Sequence, residues 1–450
     1  MSQPIRLARP RRFLPGFLTV LLPGLGQLVQ GRPRQGWLFL GPSLLFLGIV
    51  GALFLADPTG LLLTLVDPTV LLLLLLLQGL VLLWRLAALA ATLGEPRLPP
   101  LRGGERLGAA FLVLLLVLPQ LWLGYATALL RGTAEDVFVG DGRPGATSRP
   151  EPIGPSPDWS TGDRVNVLLL GVDKGPGRAH ALTDTIIVAS VDPTARTVSM
   201  LSVPRDMVDV PLPGGGVFRP KINSLITYAE RNPDEFPEAR GHGVKALAGA
   251  LSTLLGVPIH YYAEVNLPGF VKLVDAVGGV DVRVTKRLDA PDYRDFGVDG
   301  FHIRPGLRHL DGGQALAYAR IRKAAGENDF TRAERQQEVL VGLRDAIVGG
   351  GFLRDLPGFF AAAAETLETD LPPSRLPFLA RLTESIGRQR TYRAVITPPL
   401  VRFSSVPDPR GSILIPDVAR IRALAAALFP PPGTQPSVGG PSPSASPAAP

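Results

Sequence analysis

Cysteine is absent from the 450-residue chain, so disulfides, thiolate zinc sites and cysteine nucleophiles are excluded. The chain also lacks the Gly-x-x-x-x-Gly-Lys-Ser/Thr loop that cradles nucleotide phosphates. Its five histidines show no metal-binding spacing, and they are His180, His242, His260, His302 and His309. These absences argue against thiol enzymes, thiolate zinc domains and P-loop nucleotide hydrolases.

Long basic runs are equally scarce. The net charge is +7, but the longest cluster, RLARPRR at residues 6–12, stands just before an apolar region. Anchoring at a cytoplasmic membrane face explains such a cluster, and a groove-sized basic element for DNA is missing. No nucleic-acid partner is therefore predicted.

The N-terminal region is dominated by apolar residues. A spanning helix needs about 20 of them, and three segments reach that length, at residues 37–55, 69–92 and 107–130. Residues 13–30 form a shorter apolar stretch that is broken by Pro15, Pro23, Gly24 and Gly26. Residues 1–130 are therefore predicted to form a membrane region with about three transmembrane helices, while residues 13–30 lie in the interface or re-enter.

Charged residues between these segments predict their orientation. Six arginines precede residue 37 and three more lie in the 93–106 loop, whereas the 56–68 loop carries only Asp57 and Asp67. The positive-inside rule places both arginine-bearing regions in the cytoplasm. We therefore expect a multi-pass cell-membrane protein whose chain after residue 131 is extracytoplasmic; a fourth span at 13–30 would reverse that side.

The composition changes again after the membrane region. Residues 131–162 are polar and rich in glycine and proline, as in a linker, and residues 163–350 and 351–429 have the composition of a globular domain and its C-terminal α/β extension. Within that extension we expect one further helix, a strand at 392–397 and a closing helix at 418–429. Residues 430–450 carry no acid or base, and a tail of this composition is predicted to be disordered.

Three short apolar runs predict neighbouring strands: VNVLLL at 165–170, TIIVASV at 185–191 and TVSMLSV at 197–203. The five residues between the second and third are too few for a parallel crossover, and glycines and a proline disfavour a helix between the first and second. In such an antiparallel meander, one edge collects the end of the first strand, the start of the second and the end of the third. That edge carries Asp173, Asp184, Arg205 and Asp206.

Two carboxylates beside one loop suit magnesium, which takes one or two carboxylates together with waters and substrate phosphates. The alternative is that Asp173 and Asp184 only cap turns, as aspartate often does. Arg205 and Asp206 would then be solvated charges at a turn that ends a strand.

A second group of cations lies in HLDGGQALAYARIRK, residues 309–323. This segment predicts a short helix that runs into an extended stretch. If residues 318–322 are extended, Arg320 and Arg322 point the same way, because side chains repeat every second residue.

A third group lies in ENDFTRAERQQEVLVGLRDAI, residues 327–347, which predicts a helix with Thr331 and Glu334 at capping-box spacing. Arg332, Arg335 and Gln336 share one face of its first turns. Cations in the first turns of a helix interact unfavourably with the helix dipole, and a phosphate bound between them would explain their position. The alternative is an amphipathic helix whose charges are solvated. Acids at one edge and arginines that bind phosphate in bidentate fashion are what pyrophosphate chemistry needs.

Seven motifs follow one another in a characteristic order: NVLLLGVD (166–173), TDTIIV (183–188), SVPRD (202–206), KIN (221–223), LVDAVGGVDV (273–282), HLDGGQALAYARIR (309–322) and RAERQQ (332–337). Through them, residues 163–347 resemble the LytR-CpsA-Psr family of cell-wall glycopolymer ligases. The membrane region fits as well, although family members more commonly have one span. Two departures are Gly313, where a glutamate is usual, and a hydrophilic stretch at 229–243.

The resemblance implies an α/β fold, with a mixed central β-sheet flanked by helices around an apolar pocket for a polyprenyl chain. It implies a phosphotransferase that moves a phospho-glycopolymer from an undecaprenyl-pyrophosphate carrier to a peptidoglycan hydroxyl, with Mg²⁺ or Mn²⁺ as cofactor. By position, Asp173 and Asp184 would bind the metal. The pyrophosphate contacts would be Arg205, Lys221, Arg320, Arg322, Arg332 and Gln336, and the catalytic residues Arg205, Asp206 and Asp184, with either aspartate as the proton acceptor.

Two other functions would use parts of the same set. A lipid-pyrophosphate hydrolase would use water as the acceptor, and a non-catalytic glycopolymer-binding envelope protein would not need both metal-binding acids. The apolar segment LPGFVKLVDAV, residues 267–277, predicts a helix that either lines the lipid pocket or belongs to the ordinary core.

Overall fold

The computed structural model describes residues 12–57, 61, 64, 67–95, 101, 103–138, 153–158, 162–173, 182–239, 242–322, 324–351, 358–359, 362–363 and 367–440. Contacts divide the chain into two units, Met1–Ala134 and Glu135–Pro450.

The first unit is helical. Its helices are α1 (Phe13–Leu21), α2 (Leu25–Val29), α3 (Pro33–Ala56), α4 (Pro68–Leu93) and α5 (Gly104–Phe138). Within the described residues, three helices are long and apolar enough to cross a membrane, namely α3, α4 and Gly104–Gly132 within α5, so the three predicted apolar helices are present. The region predicted to lie in the interface or re-enter forms α1 and α2, of nine and five residues.

The glycine-rich segment at 23–36 allows close packing where α1, α2 and α3 meet. Gly24 joins α1 to α2 with φ +101°, and a Cβ placed on it would lie 2.4 Å from the carbonyl oxygen of Gly36. Buried hydrogen bonds hold this turn against α4, since the Thr19 and Thr92 hydroxyls lie 2.9 Å apart and Gln27 Nε2 donates to the carbonyl of Ala88 over 2.8 Å. A larger residue at position 24 would separate the helices.

The second unit is built on a six-stranded sheet in the order β11-β6-β1-β2-β3-β12. Its strands are β1 (Val165–Val172), β2 (Thr183–Asp192), β3 (Thr197–Ser202), β6 (Tyr261–Asn266), β11 (Leu367–Thr369) and β12 (Thr391–Val395). The predicted antiparallel meander of β1, β2 and β3 is confirmed. Because β6 runs parallel to β1 and β12 parallel to β3, the sheet is mixed, as the resemblance implied.

Further strands and helices surround this sheet. The strands are β4 (Val210–Pro211), β5 (Val217–Phe218), β7 (Val280–Val284), β8 (Leu288–Asp295), β9 (Val298–Ile303), β10 (Gly306–Leu310), β13 (Val401–Phe403) and β14 (Leu414–Pro416). The helices are α6 (Leu225–Arg231), α7 (Val244–Leu255), α8 (Leu267–Ala276), α9 (Gly312–Arg320), α10 (Asp329–Val348), α11 (Leu376–Ser385) and α12 (Val418–Leu428), and short 3₁₀ turns span Ile222–Ser224, Pro237–Ala239, Pro373–Arg375 and Arg388–Arg390.

Helices cover both faces of the sheet because alternate strand residues point to opposite sides. Leu168 and Val188 pack with α7 and α12 on one face, while Ile187 and Met200 meet Val341 of α10 on the other. A second core joins α8, α9 and α10 to β7–β10. The predicted α/β class with flanking helices is thereby confirmed.

The prediction of disorder from Pro430 onward is wrong for residues 430–440. The backbone N–H of Arg393, in edge strand β12, donates to the carbonyl of Gly439 over 3.1 Å, and Gly433 N–H donates to the buried Asp192 carboxylate over 3.0 Å. Contacts with distant residues order this stretch, and its composition gave no sign of them. Residues 441–450 lie outside the described part of the chain.

Candidate active site at one edge of the sheet

The meander brings the predicted acids and Arg205 to one edge of the sheet. Asp173 directly follows β1 and Asp184 is the second residue of β2, where Val172 pairs with Thr183 across an irregular register. The chain leaves β3 at Ser202, and Pro204 precedes Arg205 in the loop beyond. An Arg205 guanidinium nitrogen, Nη1, is ion-paired with Asp184 Oδ1.

Asp206 and Lys221 form a pair of their own beside this contact. Lys221 Nζ donates to Asp206 Oδ1 over 2.6 Å, whereas Arg205 Nε lies 3.8 Å from Asp206 Oδ2, beyond hydrogen-bonding distance. Lys221 therefore neutralises the carboxylate of Asp206. It does not lie among the arginines, where its predicted contact with pyrophosphate would be.

Arg320 ends a helix, which corrects one expectation. Helix α9 continues through Arg320, and the chain becomes extended only at Ile321, with φ −60° and ψ 128°. Arg320 and Arg322 therefore reach the same cleft from a helix end and the segment after it, not from one extended segment. The capping box of Asp311 and Gln314 starts α9 so that its last turn ends at this edge.

Sequence reasoning missed the main partner of Arg320. Arg320 Nη1 lies 2.5 Å from Asp295 Oδ2, at the tip of the β8–β9 hairpin, and Nη2 lies 3.9 Å from Asp173 Oδ2. Gly313 allows this hairpin to approach α9, since a Cβ at position 313 would lie 2.7 Å from the carbonyl oxygen of Phe296. The glycine in place of the usual glutamate was the one sequence signal for this contact.

Helix α10 presents Arg332 to the same place. Its capping box is formed by Asn328 and Thr331, not by Thr331 and Glu334 as predicted, because the helix begins three residues earlier than that spacing implies. Arg332 is 8% exposed, and its Nη2 lies 3.1 Å from Asp329 Oδ1. Burial lowers the pKa of the Arg332 guanidinium, Asp329 partly offsets this, and nearby Arg205 lowers it further.

Two buried guanidinium nitrogens at this site have no hydrogen-bond partner within the described residues, Arg205 Nε and Arg332 Nε. A buried donor without an acceptor costs about 1–3 kcal/mol. An anion bound between Arg205 and Arg332 would satisfy both.

Arg335 does not share the site with Arg332 and Gln336, although one helical face was predicted for all three. Its Nε donates to the Tyr318 carbonyl over 2.7 Å, and its other nitrogens bind the carbonyl of Ile321 and the buried Glu327 carboxylate. Burial lowers the pKa of Arg335 to about 10. This arginine holds the turn from α9 to α10 in place.

The converging side chains border a cleft of about 260 Å³. Its polar lining is Asp184, Thr185, Arg205, Asn266, Arg320, Arg322, Arg332 and Gln336, and its apolar lining includes Leu169, Val265, Leu267, Phe270, Leu273, Leu316, Val339, Leu340 and Leu343. Helix α8 supplies three of these apolar residues, so the segment at 267–277 does line the pocket. One cleft thus joins a cationic wall to an apolar one.

The acids at this edge offer few protein ligands for a metal. Within the described residues, no three His, Asp or Glu side chains form a group that could hold a metal ion. Magnesium, however, commonly takes only one or two protein carboxylates and completes its shell with waters and phosphates. Asp173 and Asp184, next to the arginines at one sheet edge, meet that lesser requirement.

Comparison with known proteins gives consistent matches for the second unit, Glu135–Pro450. The sequence model of the LytR_cpsA_psr family matches residues 144–394. The polyisoprenyl-teichoic acid–peptidoglycan teichoic acid transferase TagU of a Bacillus cereus strain is 33% identical over 220 residues, which cover 48% of this chain and 64% of TagU. The corresponding transferase TagV of Bacillus subtilis (strain 168) is 30% identical over 229 residues, 50% of this chain and 52% of TagV.

The matched region therefore spans less than two thirds of the length of either relative. Among solved structures, that of B. subtilis TagV matches with a TM-score of 0.46 and 25% identity, covering 59% of this chain and 96% of the TagV chain.

Proposed function

The chain belongs to the LytR_cpsA_psr family, and on that premise we propose that it transfers a phosphate-linked glycopolymer from a polyprenyl-pyrophosphate carrier to a hydroxyl of peptidoglycan. The carrier we propose is undecaprenyl pyrophosphate. The names of TagU and TagV describe transfer of teichoic acid from a polyisoprenyl carrier to peptidoglycan, which supports the same class of reaction here.

The observation that carries this proposal is the two-sided cleft. Its apolar wall of leucines, valines and Phe270 suits an isoprenoid chain, and the adjoining guanidinium groups suit a pyrophosphate. Few ligands other than a lipid pyrophosphate need both surfaces side by side. The Nε atoms of Arg205 and Arg332, which have no hydrogen-bond partner in the part of the chain that the structure describes, add a local reason for an anion to bind there.

In the proposed reaction, an acceptor hydroxyl attacks the phosphorus that carries the glycopolymer. A P–O bond to the acceptor forms, the P–O bond to the second phosphate breaks, and polyprenyl phosphate leaves with the bonding electrons. The hydroxyl proton passes to Asp184 or Asp206, the two carboxylates beside Arg205. Phosphoryl transfer of this kind depends mainly on positioning and on neutralisation of charge, which Arg205, Arg320 and Arg332 supply.

We propose Mg²⁺ as the cofactor, with Mn²⁺ as a substitute. Asp173 and Asp184 would hold the ion, which would add further neutralisation of the phosphates. Arg205 is ion-paired with Asp184, and an Arg320 nitrogen lies 3.9 Å from Asp173 Oδ2, so each of the two acids has a cation beside it.

We further propose that the second unit, Glu135–Pro450, faces the extracytoplasmic side, where peptidoglycan lies. The three apolar helices and the arginines around them support that orientation. Protease added to intact spheroplasts should degrade residues 140–430. Protection of that region would contradict the orientation without bearing on the chemistry.

The function is tested with the full chain in proteoliposomes, supplied with a polyprenyl-pyrophosphate saccharide, peptidoglycan fragments and Mg²⁺. We expect phosphodiester-linked product, sensitive to chelation. Replacing Arg205 with Ala should lower turnover about 100- to 1000-fold, as does loss of a single transition-state donor, while Arg304→Ala, on the exposed turn between β9 and β10, serves as the matched control. Release of free polymer alone would indicate a hydrolase, and binding without turnover would indicate a non-catalytic protein.

A further inference from the structure

A second, narrower cleft adjoins the lipid-sized one. It has a volume of about 20 Å³ and shares four lining residues with the larger cleft, namely Asp184, Arg205, Arg332 and Gln336. Its other lining residues include Pro204, Asp206, Phe330 and Leu414. The shared residues therefore stand between two spaces of different size, a larger one with a mainly apolar wall and a narrow one of mixed lining.

The proposed chemistry gives these two spaces different occupants. In phosphoryl transfer the attacking and leaving oxygens lie roughly in line on opposite sides of phosphorus. If the lipid phosphate leaves on the side of the apolar cleft, the acceptor hydroxyl must arrive from the other side of the arginines. That side is the narrow cleft, whose lining includes Asp206 and Phe330.

An exposed aromatic side chain stands at the outer end of this route. Phe403 is 58% exposed, and its ring centroid lies 6.4 Å from that of Phe330 at an interplanar angle of 67°. Phe330 is half-buried and lines the narrow cleft. The two rings thus continue the cleft wall outward as an apolar corner.

The exposure of Phe403 does not come from a loosely attached segment. The β13–β14 hairpin that carries it is bonded to the loop after Arg205, since Val208 N–H donates to the Leu414 carbonyl and Leu414 N–H donates to the Asp206 carbonyl, each over 3.0 Å. Arg410, in the same hairpin, donates to the Arg219 carbonyl over 2.6 Å. The ring is therefore held at a defined place next to the catalytic loop and still left open to solvent.

Removing apolar surface from water is favourable, so an occupant that covers this exposed ring is expected. Aromatic rings offer flat apolar faces with specific geometric preferences, and the C–H faces of a pyranose are a complementary surface. We propose that Phe403 and Phe330 bind the acceptor saccharide of peptidoglycan and aim its hydroxyl through the narrow cleft. This inference rests on the proposed transfer function and adds the acceptor subsite to it.

The test measures acceptor and donor KM separately in the proteoliposome assay. Phe403→Ala should raise the KM for a peptidoglycan glycan fragment about five- to tenfold, as expected for loss of one aromatic contact, with kcat at saturating acceptor within about twofold of the parent. Phe403→Tyr, which keeps a flat ring, should restore the KM, whereas Phe403→Leu, which keeps only apolar character, should not. Phe378→Ala, at an exposed ring on α11, is the matched control.

Each outcome has a distinct meaning. If the parent chain transfers glycopolymer and the Phe403 variants keep the parental acceptor KM, the subsite is refuted and the function stands. If the parent chain transfers nothing, the function itself fails. Equal losses in the Leu and Tyr variants would refute a stacking role.

A second arm identifies what touches the ring. Phe403 is replaced with the photoreactive p-benzoylphenylalanine, and the proteoliposomes are irradiated with the glycan fragment present. Cross-links to the saccharide support the acceptor subsite. Cross-links to phospholipid alone would assign the ring to the membrane surface and overturn the proposal.

Discussion

Arg332 allows function to be separated from stability, because α10 carries a matched arginine three residues further on. Arg332 and Arg335 are 8% and 7% exposed. Arg332 faces the phosphate site with one nitrogen unpartnered within the described residues, whereas Arg335 binds two carbonyls and Glu327. Replacing each with methionine removes the charge and keeps most of the side-chain length.

The two replacements should have opposite consequences. Arg332→Met forfeits an ion pair with half-exposed Asp329, worth about 0.3–0.5 kcal/mol, and removes a charge that burial and Arg205 disfavour. The thermal midpoint of the unliganded protein should therefore stay the same or rise. Charge-assisted bonds to a phosphate are worth about 1.5–3 kcal/mol each, and two of them correspond to a loss of turnover of about 100-fold or more.

Arg335→Met should instead destabilise the fold by about 1–3 kcal/mol, because the carbonyls of Tyr318 and Ile321 lose their buried donor. The buried Glu327 carboxylate would also lose one of its two cations and keep only Lys286, whose Nζ lies 2.7 Å from Oε1. Both variants are assayed for glycopolymer transfer and for thermal unfolding in detergent. Arg332→Lys provides a graded control, since it keeps the charge and loses the bidentate geometry. Equal destabilisation by the two methionine variants, or full activity in Arg332→Met, would refute the assignment of roles.

Three other predictions concern stability and positioning. Gly313→Ala places a Cβ against the Phe296 carbonyl and should lower the thermal midpoint by displacing the β8–β9 hairpin, measured by calorimetry. Asp295→Ala releases Arg320, and we expect transfer to fall about tenfold through misplacement of that guanidinium with little change in the thermal midpoint. Burial lowers the pKa of His260, so folding stability should decrease as pH falls below about 6.5, by at most about 1.4 kcal/mol per pH unit, and His260→Gln should abolish that slope.

Each of these predictions has its own control. The control for Gly313→Ala is Gly387→Ala. Gly387 is exposed, has an ordinary φ of −71° and has no atom within 4 Å of an added Cβ. Comparing the two variants tests whether the lower thermal midpoint of Gly313→Ala comes from the clash with the carbonyl oxygen. For Asp295, Asp299→Ala removes an exposed acid of the same hairpin. The sign for His260 follows first from burial, which disfavours the charged imidazole. Its hydrogen bond agrees, because Asn166 N–H donates to Nδ1 over 2.9 Å and only the neutral imidazole accepts it; stability that rose on acidification would contradict this.

Patterns local in sequence predicted much of the fold. Apolar runs with short connections predicted the β1–β2–β3 meander, and with it the shared edge of Asp173, Asp184 and Arg205. Apolar length alone predicted the three long helices. These features depend on periodicity and connection length, which neighbouring residues set.

Other features of the site depend on contacts between distant residues. Asp295 became the partner of Arg320 because a hairpin packs on α9, and Arg335 separated from Arg332 because the turn at Ile321 offered it carbonyl oxygens. The Phe330–Phe403 pair joins residues 73 positions apart. No pattern in the sequence marked any of these three contacts, apart from the glycine at position 313 that admits the hairpin.

The sequence by itself thus determined the order of the strands in the meander, the apolar helices and the residue types available for phosphate chemistry, because these follow from local patterning. Tertiary structure decided which cation faces the cleft and which holds a turn, since side-chain direction depends on where each helix begins and on what packs against it. It also decided that residues 430–440 are ordered, through hydrogen bonds to β12 and Asp192.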